Sequence, residues 1–105
     1  MNHNEVAKTI LDQLGGKQFA FMTGAKGFIA SPVGAGQLSF SLPGAGFTKN
    51  GINRVSITLN FLDLYDIVFS RVRGALTTVV ESHSGIYAED LCKLFTEATG
   101  LDIRL

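Results

Sequence analysis

The chain has 105 residues, 46% of them hydrophobic and 17% charged, with nine Lys and Arg balancing nine Asp and Glu. That length fits one domain, 1–105, able to bury its own core, and the neutral balance argues against attraction of the whole molecule to nucleic acid or an anionic membrane. The lone cysteine, Cys92, excludes an internal disulfide, and no apolar window approaches the roughly 18 residues of a membrane-spanning helix.

Residues Met1 to Glu5 offer neither the basic region nor the apolar run of a signal peptide, so the expected compartment is the cytoplasm. From about 4 to 14, Val6, Ile10, Leu11 and Leu14 recur at helical spacing, with Glu5, Lys8, Asp12 and Gln13 on the other side. Asn2 or Asn4 suits the cap, and Gly15-Gly16 the stop.

Between Lys17 and His83 glycines and short alternating runs replace that period. Strands are expected at 18–23, 27–31, 37–42, 52–60, 64–72 and 76–82. The alternation is clearest where Val55, Ile57 and Leu59 oppose Arg54, Ser56 and Thr58, and where Leu38, Phe40 and Leu42 oppose Gln37, Ser39 and Ser41. Pro43-Gly44-Ala45-Gly46 and Asn50-Gly51 separate these two runs, and Arg73-Gly74 marks a turn between the last strands. A final helix is expected over about 88–99, with Leu91, Leu94, Phe95 and Ala98 as its stripe, Gly100 beyond its end and Leu101 folding back onto its last turn.

Strands this closely spaced leave no room for parallel crossovers. The expected fold is α+β: an antiparallel meander of five or six strands flanked by N-terminal and C-terminal helices packed on the sheet.

Leu14-Gly15-Gly16, Met22-Thr23-Gly24-Ala25-Lys26, Ile57-Thr58-Leu59-Asn60, Asp63-Leu64-Tyr65-Asp66 and the stretch from Leu94 to Leu101 resemble short proteins of unassigned function encoded by bacteriophages, prophages and related mobile elements. The similar stretches are scattered over nearly the whole chain. The resemblance implies a genomic setting in which small accessory proteins often bind a host protein, and it brings no activity, cofactor or site residues with it.

No catalytic or metal-binding set stands out, and no cofactor is implied. His3, His83 and Cys92 share no ligand spacing. Cys92 borders the apolar stripe of the last helix, where a small buried residue is the simpler account and burial raises a thiol pKa. His83, Glu81 and one of many serines supply the types of a triad without a Gly-x-Ser-x-Gly elbow. Asp63 with Asp66, and Glu89 with Asp90, read as turn and helix-start residues. Gly44-Ala45-Gly46-Phe47-Thr48-Lys49 lacks the third glycine of a dinucleotide fingerprint and reads as a hairpin loop.

Charge is the uneven feature. No acid lies between Gln13 and Leu62, a stretch that holds Lys17, Lys26, Lys49 and Arg54. Residues 63–105 carry four cations against seven acids, and the first sixteen residues one cation against two acids. The outward rows Gln37, Ser39, Ser41 and Arg54, Ser56, Thr58 are hydroxyls and an amide with one guanidinium and no acid, and the small polar residues among them lose little entropy when covered. A solvated sheet face accounts for them, and so does a docking surface. Arg71 and Arg73 continue the phase of Tyr65, Ile67 and Phe69 and so border the sheet; Phe40, Phe69 and Phe95 read as core, and Phe47 in the glycine loop is the best candidate for an exposed aromatic contact.

The leading expectation is a non-enzymatic phage or mobile-element protein that binds an acidic surface of a host protein, inhibition of a defence system such as CRISPR being one form. Its contacts would come from Phe47, Lys49, Arg54, Ser56, Thr58, Arg71 and Arg73. A nucleic-acid-binding module using the basic set is the alternative, and a small-ligand binder or enzyme the third. No membrane is expected as partner, and a homodimer through a sheet edge stays open.

Overall fold

A computed structural model describes residues 2–44 and 46–101, so Ala45 of the glycine loop lies outside the described residues. Helix α1 (His3–Leu14) starts at Asn2, whose Oδ1 accepts from the Glu5 amide at 2.9 Å. It ends at Gly15 and Gly16, whose amides both reach the Leu11 carbonyl. A second helix, α2 (Lys17–Thr23), follows at once. Five strands then run in order: β1 (Lys26–Ser31), β2 (Gly36–Ser41), β3 (Arg54–Leu59), β4 (Tyr65–Arg73) and β5 (Leu76–Ile86). Each pairs antiparallel with the next, so spatial and sequence order coincide. One 3-10 turn, Ala88–Asp90, leads into α3 (Leu91–Thr99), which Gly100 closes in the left-handed region. The expected α+β meander with terminal helices is thus the fold, with five strands.

The strand expected at 18–23 is a correction: those residues form α2. A strand would put Phe19 and Phe21 on one face, yet Phe19 is 1% exposed and Phe21 89%. Burial instead falls on Phe19 and Thr23, one helical turn apart, and the Thr23 hydroxyl donates to the Phe19 carbonyl at 2.8 Å. Gly24, at φ 73°, stops the helix where no β-branched side chain would sit without strain.

All three helices lie on one side of the sheet. Val6, Ile10 and Leu14 of α1, Phe19 of α2, and Leu91, Phe95 and Ala98 of α3 share one core with Leu38, Phe40, Val55, Ile57, Ile67 and Phe69 of the strands. Phe40 is the centre of an aromatic cluster, with the rings of Phe19 and Phe28 both 5.4 Å away and Phe95 at 6.4 Å. The Tyr65 hydroxyl donates to Gln13 Oε1, tying β4 to the end of α1, and burial raises its pKa above the ordinary tyrosine value although that hydrogen bond works the other way.

Helix α1 approaches β2 closely because Gly36 has no side chain. A Cβ built there would lie 2.5 Å from the Cβ of Val6, and its φ of 146° is unsuited to other residues. Gly36→Ala is therefore expected to cost roughly 2–4 kcal/mol through overpacking and backbone strain together. Urea denaturation checks it; a midpoint unchanged from wild type contradicts the close approach.

Candidate functional site

Among the described residues, no helix packs on the other side of the sheet. Antiparallel register sorts its residues into rows that run across the strands. One row joins Ser31, Gln37, Thr58 and Asp66; the next joins Ile29, Ser39, Ser56, Val68 and Ser82; a third joins Lys26, Ser41, Arg54, Ser70 and Val79. At a spacing of roughly 4.8 Å between strands, the face is about 20 Å wide.

Arg54 crosses the middle of this face. Its guanidinium donates to the hydroxyls of Ser41 at 3.4 Å and Ser39 at 3.3 Å. Laid flat in this way it shields Ser39, which is 4% exposed on a side that no helix covers. The described residues place no carboxylate within ion-pair distance of it, and the one such pair among them joins His83 Nε2 to Glu81 Oε1 at 3.6 Å. A cation satisfied only by neutral hydroxyls keeps most of its charge for an incoming anion. Beside it a shallow hollow of about 240 Å³ lies between Ser41, Leu42, Asn53, Arg54 and Val72. Asn53 holds one wall in place by bonding both the amide and the carbonyl of Val72, at 2.8 and 2.9 Å.

The polar side chains nearby are tied to each other. Gln37 Nε2 donates to the Thr58 hydroxyl at 2.8 Å. Asp66, the acid in these rows, accepts from Asn60 Nδ2 and from the Gly85 amide, both at 3.1 Å, so its charge serves the adjoining turn.

The seven residues expected to make contacts separate into three places. Arg54, Ser56 and Thr58 share the open face. Arg71 and Arg73 are in the phase of Ile67 and Phe69, on the helix side, and Arg71 Nη1 donates to the Asn50 carbonyl at 3.4 Å. Phe47 and Lys49 sit on the connection between β2 and β3. Phe47 is 68% exposed, whereas Lys49 Nζ donates to the Glu97 carbonyl at 3.1 Å, near the negative end of α3. Asn50 and Gly51 adopt the positive φ values expected of them.

Apolar residues on this face escaped the sequence reading. Val68 and Val72 of β4 and Val79 of β5 lie in the open phase, and Ile29 adds a fourth at the β1 margin. Their signal was the run Ile67-Val68-Phe69, apolar in both phases, which belongs to a strand covered on both sides. The face therefore has a polar centre on β2 and β3 with apolar flanks.

His83 lies opposite Ile67 on the helix side, its ring edge-on to Phe69 at 6.3 Å. Its neighbour Ser82 faces the other way, opposite Val68, so Glu81, His83 and Ser82 form no triad. The loop hydroxyl of Thr48 is engaged with the Gly44 and Ile52 carbonyls of its own turn. Among the described residues no group of three His, Cys, Asp or Glu side chains could hold a metal, and no helix is long and apolar enough to cross a membrane.

Cys92 is half-buried, and its thiol donates to the Gln13 carbonyl at 3.3 Å. Burial pushes its pKa above the ordinary thiol value. Alkylation by iodoacetamide is accordingly expected to be slower than for a free thiol at neutral pH, with the rate profile displaced to higher pH. A rate at or above that of a free thiol contradicts this placement.

No family model, curated protein or solved structure gives a significant match to the chain.

Proposed function

We propose that this chain is a non-catalytic binding protein whose open sheet face docks on an acidic surface of another protein. The observation that carries this reading is Arg54, spread over serine hydroxyls on a face without a covering helix and without a carboxylate in ion-pair reach. The hollow beside it is small for a metabolite and of a size to take one carboxylate side chain of the partner. Ser41, Ser56 and Thr58 add hydroxyls that lose little freedom on being covered, and Ile29, Val68 and Val79 add apolar area at the flanks. In the mobile-element setting that the resemblance implies, the partner is a host protein, and inhibition of a defence system is one outcome of such binding.

The nucleic-acid alternative needs its cations together. Instead Arg54 has only Lys26 in its row on the open side of the sheet, Arg71 and Arg73 are in the other phase, and Lys49 is engaged with α3. A salt-sensitive shift of DNA or RNA by the wild-type protein, lost in Arg54→Glu, would nevertheless replace the protein partner with a nucleic acid.

The test is affinity capture from host extract with the wild type, Arg54→Glu, Ser56→Glu and Lys93→Glu, the last on the outer side of α3. A partner held by the wild type and Lys93→Glu but lost from both open-face variants supports the reading. Equal capture by all four, or capture of nothing, counts against it.

A further inference from the structure

The meander has two free edges, and they are built differently. Edge strand β1 is guarded: Lys26 opens it, Gly27 turns left-handed at φ 68°, its register with β2 slips between Lys26 and Ile29, and Pro32 follows it. These are devices that discourage a second strand from adding on. Edge strand β5 has none of them over its first half. Leu76, Thr77, Thr78 and Val79 pair regularly with Arg73 to Ser70, all four are exposed, and no charge or proline interrupts them until Glu81. Leu76 is 68% and Val79 59% exposed, so no helix overhangs this half of the strand. An uncharged, β-branched run with its outer backbone groups free is a template for another strand.

We propose that this half of β5 pairs antiparallel with the same segment of a second copy, about a two-fold axis through Thr78. The sequence is self-complementary in that register and in few others. A two-fold axis perpendicular to the sheet keeps each side chain on its own side, so a residue must face a partner of the same phase. With Thr78 opposite its own copy, Thr77 faces Val79 and Leu76 faces Val80, where a bulge opposite Phe69 and Ser70 ends the regular ladder. Cross-strand pairs of β-branched and aliphatic residues of this kind are favourable. Centring the axis on Glu81 would set two carboxylates against each other, which is unfavourable.

The result is a continuous ten-stranded sheet with every helix on one side and both open faces on the other. The paired segment of five residues is about 17 Å long. That is short beside a standard interface of roughly 1,600 Å², so the dimer is a weak one that forms in the micromolar range or above. Two open faces side by side would also give a bivalent docking surface, although the pairing itself does not depend on what that face binds.

Sedimentation velocity over a micromolar to millimolar series tests the pairing. The wild type is expected to shift from monomer to dimer, and Thr78→Lys, which sets two cations against each other on the axis, to weaken the dimer by about tenfold or more. Mixing Thr78→Lys with Thr78→Glu is expected to restore it as a heterodimer. Directly opposite residues of an antiparallel pair have Cα atoms roughly 4.5–5.5 Å apart, within disulfide reach. Thr78→Cys in a Cys92→Ser background is therefore expected to cross-link to itself on oxidation. A monomer at every concentration, a dimer indifferent to Thr78→Lys, or a β5 edge that takes up a foreign extended peptide while the chain stays monomeric would overturn the proposal. Loss of dimerisation in Thr78→Lys with partner capture intact would separate this contact from the function of the open face.

Discussion

Phe40→Ala is expected to destabilise the fold by about 4 kcal/mol, the largest effect of any single substitution considered. Phe40 is fully buried at the meeting point of all layers: its ring lies within 5.4 Å of Phe19 from α2 and Phe28 from β1, and 6.4 Å from Phe95 of α3. Truncation removes the transfer energy of the ring and leaves a cavity that three aromatic neighbours, each held by its own element, cannot close; comparable substitutions cost roughly 3–5 kcal/mol. Aromatic edge contacts contribute beyond their area, about 0.5–1.5 kcal/mol per pair. Against a total stability of roughly 5–15 kcal/mol for a domain, the loss is a large share of the whole. Thermal unfolding should report it as a fall of roughly 20 °C. A fall of only a few degrees would mean that the aromatic cluster is not the centre of the core.

Arg54→Glu is expected to lower stability by no more than about 1–2 kcal/mol and to weaken partner binding by roughly thirtyfold, about 2 kcal/mol. The two parts have separate causes. On the stability side, Arg54 is half-buried and donates two long hydrogen bonds to Ser39 and Ser41 without an ion pair among the described residues, and such bonds contribute about 1 kcal/mol each at most. On the binding side, the substitution sets a carboxylate against the acidic group for which the guanidinium is the counter-charge. Arg54→Ala should give an intermediate loss, because it removes the attraction without adding repulsion. Calorimetric binding with the captured partner, alongside thermal unfolding of each variant, checks both parts. Binding by Arg54→Glu equal to wild type would remove the charge argument.

Parts of this structure could be read from the chain alone for clear physical reasons. Leu38, Phe40 and Leu42 against Gln37, Ser39 and Ser41 alternate without interruption, because β2 has one face in the core and the other open. The same logic made Val55, Ile57 and Arg54, Ser56, Thr58 legible in β3. Helix α2 was not legible, because seven residues span barely two turns and Phe19-Ala20-Phe21-Met22 satisfies a short strand as well as a helix. What decides between them is tertiary: only Phe19 finds a place among Phe40 and Phe95. On β4 the pattern blurred for the opposite reason, since Val68 and Val72 supply apolar area to the open side while Ile67 and Phe69 fill the core.

The candidate site was partly legible in the same way. Charge segregation pointed to Lys49 and Arg54, and strand phase added Arg71 and Arg73, but neither signal says which cations share a side of the sheet. Pleat and register divide them, and the carbonyls of Glu97 and Asn50 engage Lys49 and Arg71. Arg54 is on the open face by phase, and its partners on β2 are hydroxyls rather than acids.

The central claim, that the open face is what another protein covers, is tested most directly by site-specific photocrosslinking in the host. A benzophenone side chain in place of Ser56, at the middle of the open face, is expected to form an adduct with the partner, and one in place of Thr96, on α3, to form none. An adduct at Thr96 without one at Ser56 would contradict the account.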